Sequence, residues 1–360
     1  MKIGLLGTRG IPNRYGGFEE FAEQVSRYWA DKGHQVFVYC EDNINQESFN
    51  YKNVTQVYVK PGLFPGLSQF IYDYRSTKNA LQRGLDIIYH AGYATSVIGN
   101  SLLQTGLQGK LVYNMDGLEW KRSKFNGMTR WLTKKLEKTA AMSGAVLVSD
   151  NTGIQNYLRT TYGVESALIE YGAYELNTQI RSFDYYPKIF DLVIARFEPE
   201  NHIEEIISVY KKNKELTLVI VANTGTKLHK KISSQLKGFK NVIFNGPIYD
   251  KEELAFLKTN CRYYIHGHSV GGTNPSLLEA LAAGCNILIH RNDFNLDVVA
   301  EHARSWSNQE ELKKLVSSKN KRVTSVLSQK QYCLNRFNWE LIATKHIEVF
   351  NKALNKENEK

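Results

Sequence analysis

Two glycines late in the chain lead directly into an apolar helix, and this segment could bind an anion. Gly271, Gly272 and Thr273 precede Asn274, which is a good helix cap, and Pro275, which suits the first helical position. Backbone N–H groups at such a helix start can bind a phosphate, and glycine lets the phosphate approach closely. We therefore predict that this turn binds an anionic group.

One carboxylate stands in the otherwise apolar sequence of this helix. Glu279 lies about one turn inside it, where it could accept hydrogen bonds from a ribose. A lone buried carboxylate is costly, so a purely structural helix would not need one there. His266 and His268 lack nearby carboxylates or thiols in the sequence, so we interpret them as substrate-lining or strand-end residues and not as metal ligands.

Arginines and glycines also follow the first predicted strand. Arg9 and Arg14 precede Gly16 and Gly17, which open the first helix. This composition favours an anion site at the positive end of the helix, although a turn that needs glycine, with solvated arginines, explains it equally well. The spacing differs from the G-x-G-x-x-G of dinucleotide sites.

The first strand of the second half ends in a comparable way. Arg196 follows this strand and is well placed for a bidentate contact with a diphosphate. The alternative is that it pairs with Glu198 or Glu200 in a surface network.

Carboxylates follow several predicted strands of the first half. Asp116 and Asp150 are our candidates for a group that orients or deprotonates an incoming hydroxyl. Asp150 could instead cap the next helix together with Asn151 and Thr152. The residues that we expect to line the acceptor or the sugar are Arg9, Glu119, Tyr171 and His266.

A basic stretch with interleaved aromatic residues spans residues 120–138. Basic residues on an amphipathic helix suggest contact with an anionic membrane surface, while the alternative is a solvated basic helix with one core face. The residues that we predict to touch the membrane are Lys121, Lys124, Arg130, Trp131 and Lys134.

Short apolar strands alternate with amphipathic helices along the chain, which predicts an α/β protein with two doubly wound parallel sheets. The alternation breaks at residues 181–188, so we place the domains at 1–180 and 181–335. Ligands of such sheets bind at the carboxyl ends of the strands, so we expect the function to lie in the loops that follow them.

Composition narrows the classes of protein. The 360 residues carry 46 Lys and Arg against 36 Asp and Glu, a net charge of +10 that favours an anionic partner. Four scattered cysteines suggest a reduced, cytoplasmic protein. No nucleic-acid-binding module is recognisable, which argues against nucleic acid as the partner. The missing glycine fingerprint argues against a nucleotide-sugar dehydrogenase or epimerase.

Three motifs carry a family resemblance: G-x-R-G…R-Y-G-G-F-E, A-R-F-E-P-E-N and G-G-T-N-P-S-L-L-E-A-L-A-A-G. Together they resemble the retaining GT-B glycosyltransferases of family 4, and within them the bacterial rhamnosyltransferase branch that builds surface polysaccharides. The resemblance covers essentially the whole chain. It implies two Rossmann-like domains facing across a cleft, with residues 336–360 forming a helix that returns to the first domain.

The resemblance also implies roles for individual residues. Arg196 would bind the diphosphate of a nucleotide-sugar donor, Glu279 its ribose, and residues 271–274 the diphosphate and sugar. Gly16 and Gly17 would approach the donor phosphate from the other domain. The transfer would retain configuration, need no metal or cofactor, and use a lipid-diphosphate-linked acceptor at the inner face of the cell membrane.

Three positions depart from the family pattern. The first glutamate of its usual pair falls on Gly271, a usual lysine falls on Asn201, and a usual histidine falls on Asp116. These departures would suit a 6-deoxy donor such as dTDP-rhamnose. The alternative is another hexose carried by UDP or GDP.

Overall fold

The computed structural model describes residues 1–13, 16–41, 48–64, 66–122, 125–174, 181–318 and 321–358. The chain forms two compact units. The first comprises Met1–Lys121, Phe125–Gly172 and Trp339–Lys360, and the second comprises Arg122–Lys124 and Ala173–Asn338.

The first unit is built on an eight-stranded sheet in the order β3-β4-β2-β1-β5-β6-β7-β8. All neighbouring strands are parallel except β3 and β4, which pair antiparallel. The strands are β1 (Lys2–Leu6), β2 (Gln35–Glu41), β3 (Ser48–Tyr51), β4 (Val54–Val59), β5 (Ile87–His90), β6 (Leu111–Asn114), β7 (Val146–Ser149) and β8 (Ala167–Leu168).

Helices connect the parallel strands of this sheet. They are α1 (Gly17–Asp31), α2 (Ser68–Gln82), α3 (Ser96–Leu102), α4 (Gln104–Leu107), α5 (Gly127–Ala141) and α6 (Thr152–Tyr162). The central strands β1 and β5 are buried almost throughout, which is typical of a parallel sheet covered on both faces.

The second unit contains a six-stranded, wholly parallel sheet in the order β11-β10-β9-β12-β13-β14. Its strands are β9 (Asp191–Ile194), β10 (Leu218–Val221), β11 (Val242–Asn245), β12 (Tyr264–His266), β13 (Ile287–His290) and β14 (Ala303–Trp306). Its helices are α7 (Ile203–Lys212), α8 (Lys227–Gln235), α9 (Lys251–Asn260), α10 (Pro275–Ala283), α11 (Asp293–Val299), α12 (Gln309–Ser317) and α13 (Val326–Phe337).

The last helix, α14 (Trp339–Asn358), belongs to the first unit and packs against α1. His346 and Phe350 of α14 contact the ring of Trp29, and the Trp29 indole donates a hydrogen bond to the Ala343 carbonyl at 3.1 Å. Gly172 makes this junction possible, because a Cβ there would lie 2.2 Å from the Trp339 ring.

The prediction of two doubly wound parallel sheets is confirmed. In each unit the strand order reverses beside the first strand, so the carboxyl ends of β1 and β5, and of β9 and β12, are the places where a ligand is expected to bind.

Candidate functional site

In the second unit, the loops after β9 and β12 pack tightly against each other. Gly267 lies so close to the loop after β9 that a Cβ there would be 2.1 Å from the Asn201 carbonyl oxygen. His202 Nδ1 lies 2.7 Å from the Gly267 carbonyl, and the Ser269 N–H donates to the Glu200 carbonyl at 2.9 Å. The main chain that leads to α10 is therefore fixed from its first residues.

The start of α10 has the predicted cap. Asn274 accepts hydrogen bonds from the Ser276 backbone N–H at 3.0 Å and from its hydroxyl at 2.8 Å, and Pro275 occupies the first helical position. Gly271 has φ +123°, a conformation that only glycine adopts without strain. The turn at 271–274 thus combines a positive helix end with a backbone that a ligand can approach closely.

Glu279 is not the lone carboxylate that the sequence suggested. The Lys258 ammonium of α9 is buried against it and pairs with it, although the two residues are 21 positions apart. The Lys258 side chain is only 5% exposed, whereas the Glu279 side chain is 45% exposed. The carboxylate therefore reaches the surface while a buried cation holds it in place.

Arg196 lies just beyond the end of β9, and its side chain is 54% exposed. In the structure it pairs with Glu198 at 3.5 Å, which is the surface partner that the alternative interpretation named. Because the guanidinium is half exposed and lies 3.5 Å from Glu198, this pair is weak, and Arg196 can exchange Glu198 for a more strongly charged partner.

His266 and His268 occupy different environments. His266 is buried at the end of β12, its Nε2 has no hydrogen-bond partner, and burial holds its pKa well below the usual value. Burial lowers the pKa of His268 to about 4, and the positive charges of Arg196 and Arg122 also lower it. Glu200 and the Val270 backbone raise this pKa in part. Both imidazoles are therefore neutral at physiological pH.

Among the residues that the structure describes, no three His, Cys, Asp or Glu side chains are grouped so that they could hold a metal ion.

In the first unit, the structure brings Asp116 and Asp150 together at the ends of β6 and β7. Burial is the main cause that raises the pKa of the Tyr89 hydroxyl. The negative charges of Asp116 and Asp150 raise this pKa further. Asp116 also borders Gly92, where a Cβ would lie 3.6 Å from its Oδ1. Two predicted catalytic candidates thus share one location at the carboxyl edge of the sheet.

Asp150 is not the cap of α6. Asn151 fills that role, accepting a hydrogen bond from the Gly153 N–H at 2.8 Å. Glu119 lies in a short 3-10 turn after β6, and together with Asp116 and Glu137 it raises the pKa of the buried Tyr93 hydroxyl, for which burial is the main cause.

The loop after β1 is held down by carboxylates of α1. The Arg9 N–H donates to Glu19 at 3.0 Å, and the Asn13 N–H donates to Glu23 at 2.8 Å. The Arg9 side chain is exposed. The Tyr171 hydroxyl donates a hydrogen bond to the Gly17 carbonyl at the start of α1. Tyr171 also packs on Trp339 at 4.9 Å, so it anchors the helix start at least as much as it lines a site. Arg14 lies outside the described residues.

Two polar residues near this edge were missed by sequence reasoning. His90 ends β5, is fully buried, and contacts the Thr77 hydroxyl through Nε2 at 3.1 Å. Asp73 of α2 is buried and accepts a hydrogen bond from the Thr95 hydroxyl at 2.5 Å; burial raises its pKa to about 6. The position of His90 at the end of an apolar run was a usable signal, but nothing adjacent in sequence marked Asp73.

The basic stretch forms a short turn and α5. Its inner face is anchored by Glu137, which accepts hydrogen bonds from the hydroxyls of Tyr93, Tyr157 and Tyr162 at 3.2, 2.6 and 2.7 Å. Its outer face exposes apolar side chains beside lysines and Arg130: Met128 is 80% exposed and Trp131 58%. Lys124 lies outside the described residues.

Lysines cover the two tryptophans of this segment. The Lys134 ammonium lies 4.4 Å from the centre of the Trp120 ring, and Lys135 lies 3.9 Å from that of Trp131. The predicted combination of cations and exposed aromatic surface is therefore present on α5. No helix of the described chain is long and apolar enough to cross a membrane.

Comparison with known families divides the chain at the same place as its fold. Residues 183–332 match the family of glycosyl transferases group 1, and residues 1–174 match a domain of unknown function, DUF1972. Among curated proteins, none matches this chain.

Solved structures with similar folds cover nearly the whole chain. Sucrose-phosphate synthase from Thermosynechococcus elongatus has a TM-score of 0.84 at 15% identity, with 98% of each chain covered. HepE from Anabaena, solved with UDP and glucose, has a TM-score of 0.73 at 13% identity, covering 97% of this chain and 99% of its own. A trehalose-phosphate synthase (UDP-forming) from Burkholderia xenovorans, solved with glucose-6-phosphate, has a TM-score of 0.71 at 11% identity, covering 98% and 100%.

The comparisons define the fold of the whole chain and the family of its second half. The chain has the two Rossmann-like domains of the GT-B glycosyltransferases. Residues 183–332 carry the match to the family of glycosyl transferases group 1.

Proposed function

We propose that this enzyme transfers a sugar, best matched by L-rhamnose from dTDP-rhamnose, to a lipid-diphosphate-linked saccharide in surface-polysaccharide synthesis. The observation that carries the proposal is the turn at 271–274, clamped by the loop after β9 and opening the capped helix α10. A backbone fixed in this way offers N–H groups to a diphosphate without reorganising when it binds.

The reaction breaks the bond between the sugar and a nucleoside diphosphate, and negative charge grows on the departing diphosphate. Arg196 and the N-terminus of α10 would stabilise that charge, so this account needs no metal or cofactor. Glu279, oriented by Lys258, would accept hydrogen bonds from the ribose hydroxyls. Gly16 and Gly17 would contact the donor phosphate, and the family-4 resemblance implies retention of configuration.

The acceptor hydroxyl would be handled by the carboxylates of the first unit. Asp116 and Asp150 follow the neighbouring strands β6 and β7, so either would be placed to orient an acceptor bound at that edge. Glu119 and Arg9 would line the same acceptor region.

A lipid-linked acceptor requires the enzyme to work at a membrane. The exposed lysines, Arg130 and Trp131 of α5 would attach the protein to an anionic surface as a peripheral protein on the inner face of the cell membrane. The net charge of +10 is consistent with such a surface.

The alternative donor is a UDP- or GDP-linked hexose. HepE was solved with UDP and the trehalose-phosphate synthase from Burkholderia xenovorans is UDP-forming, which supports a uridine donor. The departures at Gly271, Asn201 and Asp116 support the 6-deoxy sugar.

A donor panel tests the proposal. Purified protein is incubated with dTDP-rhamnose, UDP-glucose, UDP-galactose, UDP-GlcNAc and GDP-mannose, and donor hydrolysis and the rise in Tm are recorded. We expect the largest rise with dTDP-rhamnose. A larger rise in Tm with a UDP-sugar would identify that sugar as the donor in place of dTDP-rhamnose. The absence of any response to the five compounds would contradict a nucleotide-sugar site.

A further inference from the structure

The main chain around His268 is fixed from two sides. Asn292 and Asn295 at α11 both donate amide hydrogen bonds to the His268 carbonyl, at 3.0 and 2.7 Å. The next residue, Ser269, is bonded through its N–H and its hydroxyl to the Glu200 carbonyl after β9. The imidazole therefore extends from a backbone that cannot easily shift.

Asn201 determines which nitrogen of this imidazole carries the proton. Its amide nitrogen faces the Arg196 carbonyl at 2.8 Å, and a carbonyl oxygen can only accept, so the amide NH₂ must point there. The Asn201 Oδ1 then faces His268 Nδ1 at 2.8 Å and, being an acceptor, requires a proton on Nδ1. In a neutral ring this leaves a lone pair on Nε2.

Nε2 is directed at the turn before α10. A Cβ at Gly271 would lie 3.2 Å from it, so the imidazole lies directly over this glycine. Burial and the positive charges of Arg196 and Arg122 lower the pKa of His268 to about 4, while Glu200 and the Val270 backbone act in the opposite direction, so the ring is neutral. Phosphate oxygens are acceptors and cannot pair with the Nε2 lone pair, whereas a hydroxyl can donate to it.

We propose that His268 accepts a hydrogen bond from a hydroxyl of the donor sugar through Nε2, with Asn201 as its positioning residue. The proposal rests on the proposed function, because it assumes a nucleotide-sugar at the turn. Two of the three positions that depart from the resembled pattern, Asn201 and Gly271, are residues that lie against this imidazole.

The tautomer can be measured without any donor. Long-range ¹⁵N–¹H correlation spectra of the full-length protein at pH 7.5 should show His268 protonated on Nδ1, with its signals assigned by their loss in His268→Phe. The Asn201→Leu variant should lose this preference for Nδ1. A ring protonated on Nε2, or an imidazolium, in the wild type would overturn the proposal.

Binding then separates the sugar from the diphosphate. Titration calorimetry compares dTDP, UDP and GDP with dTDP-rhamnose, UDP-glucose and GDP-mannose for wild type and His268→Phe. We expect the affinity for the bound nucleotide-sugar to fall about tenfold, the value of one hydrogen bond, while the affinity for the matching nucleoside diphosphate stays unchanged. His302→Phe is the matched control. This buried histidine lies just before β14, away from the carboxyl ends of the strands, and contacts the Thr324 hydroxyl.

Other outcomes count against the proposal in distinguishable ways. Equal losses of affinity for the nucleotide and the nucleotide-sugar would mean that His268 contacts the diphosphate or only supports the fold. Unchanged affinity for both would mean that His268 is not part of the binding site. If His268→Phe does not fold, Asn201→Leu must show the same selective loss at smaller size. If the wild type binds none of the six compounds, the proposed function fails and the hydroxyl contact fails with it, whatever the tautomer.

Discussion

At the scale of single residues, Arg196 and Glu279 carry charge to the surface of the second unit in different ways. Within the described part of the chain, Arg196 pairs with the partly buried Glu198 while its own side chain is 54% exposed, whereas Glu279 is held by the buried ammonium of Lys258. This difference separates the predicted consequences of substituting them.

Arg196→Ala should remove most transfer without a change in Tm. Glu279→Ala should remove most transfer and also lower the Tm, because it leaves the buried Lys258 ammonium without its partner. Loss of a charge-assisted hydrogen bond costs about 1.5–3 kcal/mol, or roughly a 10- to 100-fold fall in kcat/KM for the donor. Lys231→Ala, which breaks an exposed pair with Glu204 in the same unit, is the control and should be silent. Wild-type kcat/KM in both site variants would remove the assignment of the donor site.

Lys258→Met tests whether the lysine positions Glu279. Methionine fills similar space, and the carboxylate that loses its partner is 45% exposed, so it keeps much of its hydration and Tm should change little. Nucleotide affinity should fall about tenfold, because Glu279 is no longer held toward the ribose. Calorimetry with dTDP and UDP measures it. If the nucleotide affinity of Lys258→Met is unchanged, whether or not its Tm falls, the Lys258–Glu279 pair serves only the fold.

At the scale of elements, α14 ties the end of the chain to the first sheet through a buried histidine. His346 packs against Phe21 and Tyr89, both at 5.3 Å, and its Nδ1 lies 2.8 Å from the Ile342 carbonyl. Burial lowers its pKa to about 4. Because the unfolded chain binds the proton more readily, the stability from this neutral ring is complete above pH 6.5 and is lost as pH falls toward 4.

His346→Phe should therefore weaken the acid sensitivity of the first unit. One pKa unit corresponds to 1.36 kcal/mol, so between pH 7 and 4.5 the wild type should lose about 2–3 kcal/mol more unfolding free energy than the variant. Urea unfolding at both pH values, followed by circular dichroism, gives the difference. The same pH dependence in both proteins would mean that His346 is not held neutral by burial.

The outer face of α5 makes a separate prediction. Lys121 in the turn before α5 and Arg130, Lys134 and Lys135 on α5 are replaced with serine together. This variant should be released from anionic vesicles, since each cation near such a surface contributes about 1 kcal/mol. Transfer to a soluble, short-tailed acceptor should persist. The control replaces four exposed lysines of the second unit: Lys214, Lys230, Lys237 and Lys240.

Sedimentation with vesicles and the soluble-acceptor assay are read together. Equal vesicle binding by the α5 variant and the wild type would show that the helix is only solvated. Loss of activity on the soluble acceptor as well would place these cations in the acceptor site.

At the scale of the whole molecule, local patterns predicted the elements better than the contacts between them. Apolar runs and glycine stops located both sheets, and the Asn274–Pro275 pair located the start of α10. The strands β3, β4, β8 and β14 were not predicted. For β3 the reason is that its residues are almost all exposed, which leaves no apolar alternation to detect.

Partners distant in sequence could not be predicted from spacing. Glu279 and Lys258 meet only because α9 and α10 pack together, and Asn201 reaches His268 only because the loops after β9 and β12 touch. Asp116 and Asp150 were foreseeable as strand-end carboxylates, but their shared action on Tyr89 depends on the strand order β5-β6-β7. Local preference fixes elements, and packing decides which side chains form a site.

The central claim is that the enzyme transfers sugar from a nucleotide donor, and transfer to lipid measures it directly. Wild-type protein is incubated with dTDP-[¹⁴C]rhamnose and extracted bacterial lipid-diphosphate saccharides, with and without EDTA, beside Arg196→Ala. The account predicts that label enters the lipid fraction with release of dTDP, that EDTA has no effect, and that Arg196→Ala transfers little. Failure to label lipid from dTDP-rhamnose or any other nucleotide-sugar, or labelling that requires a divalent metal, would contradict it.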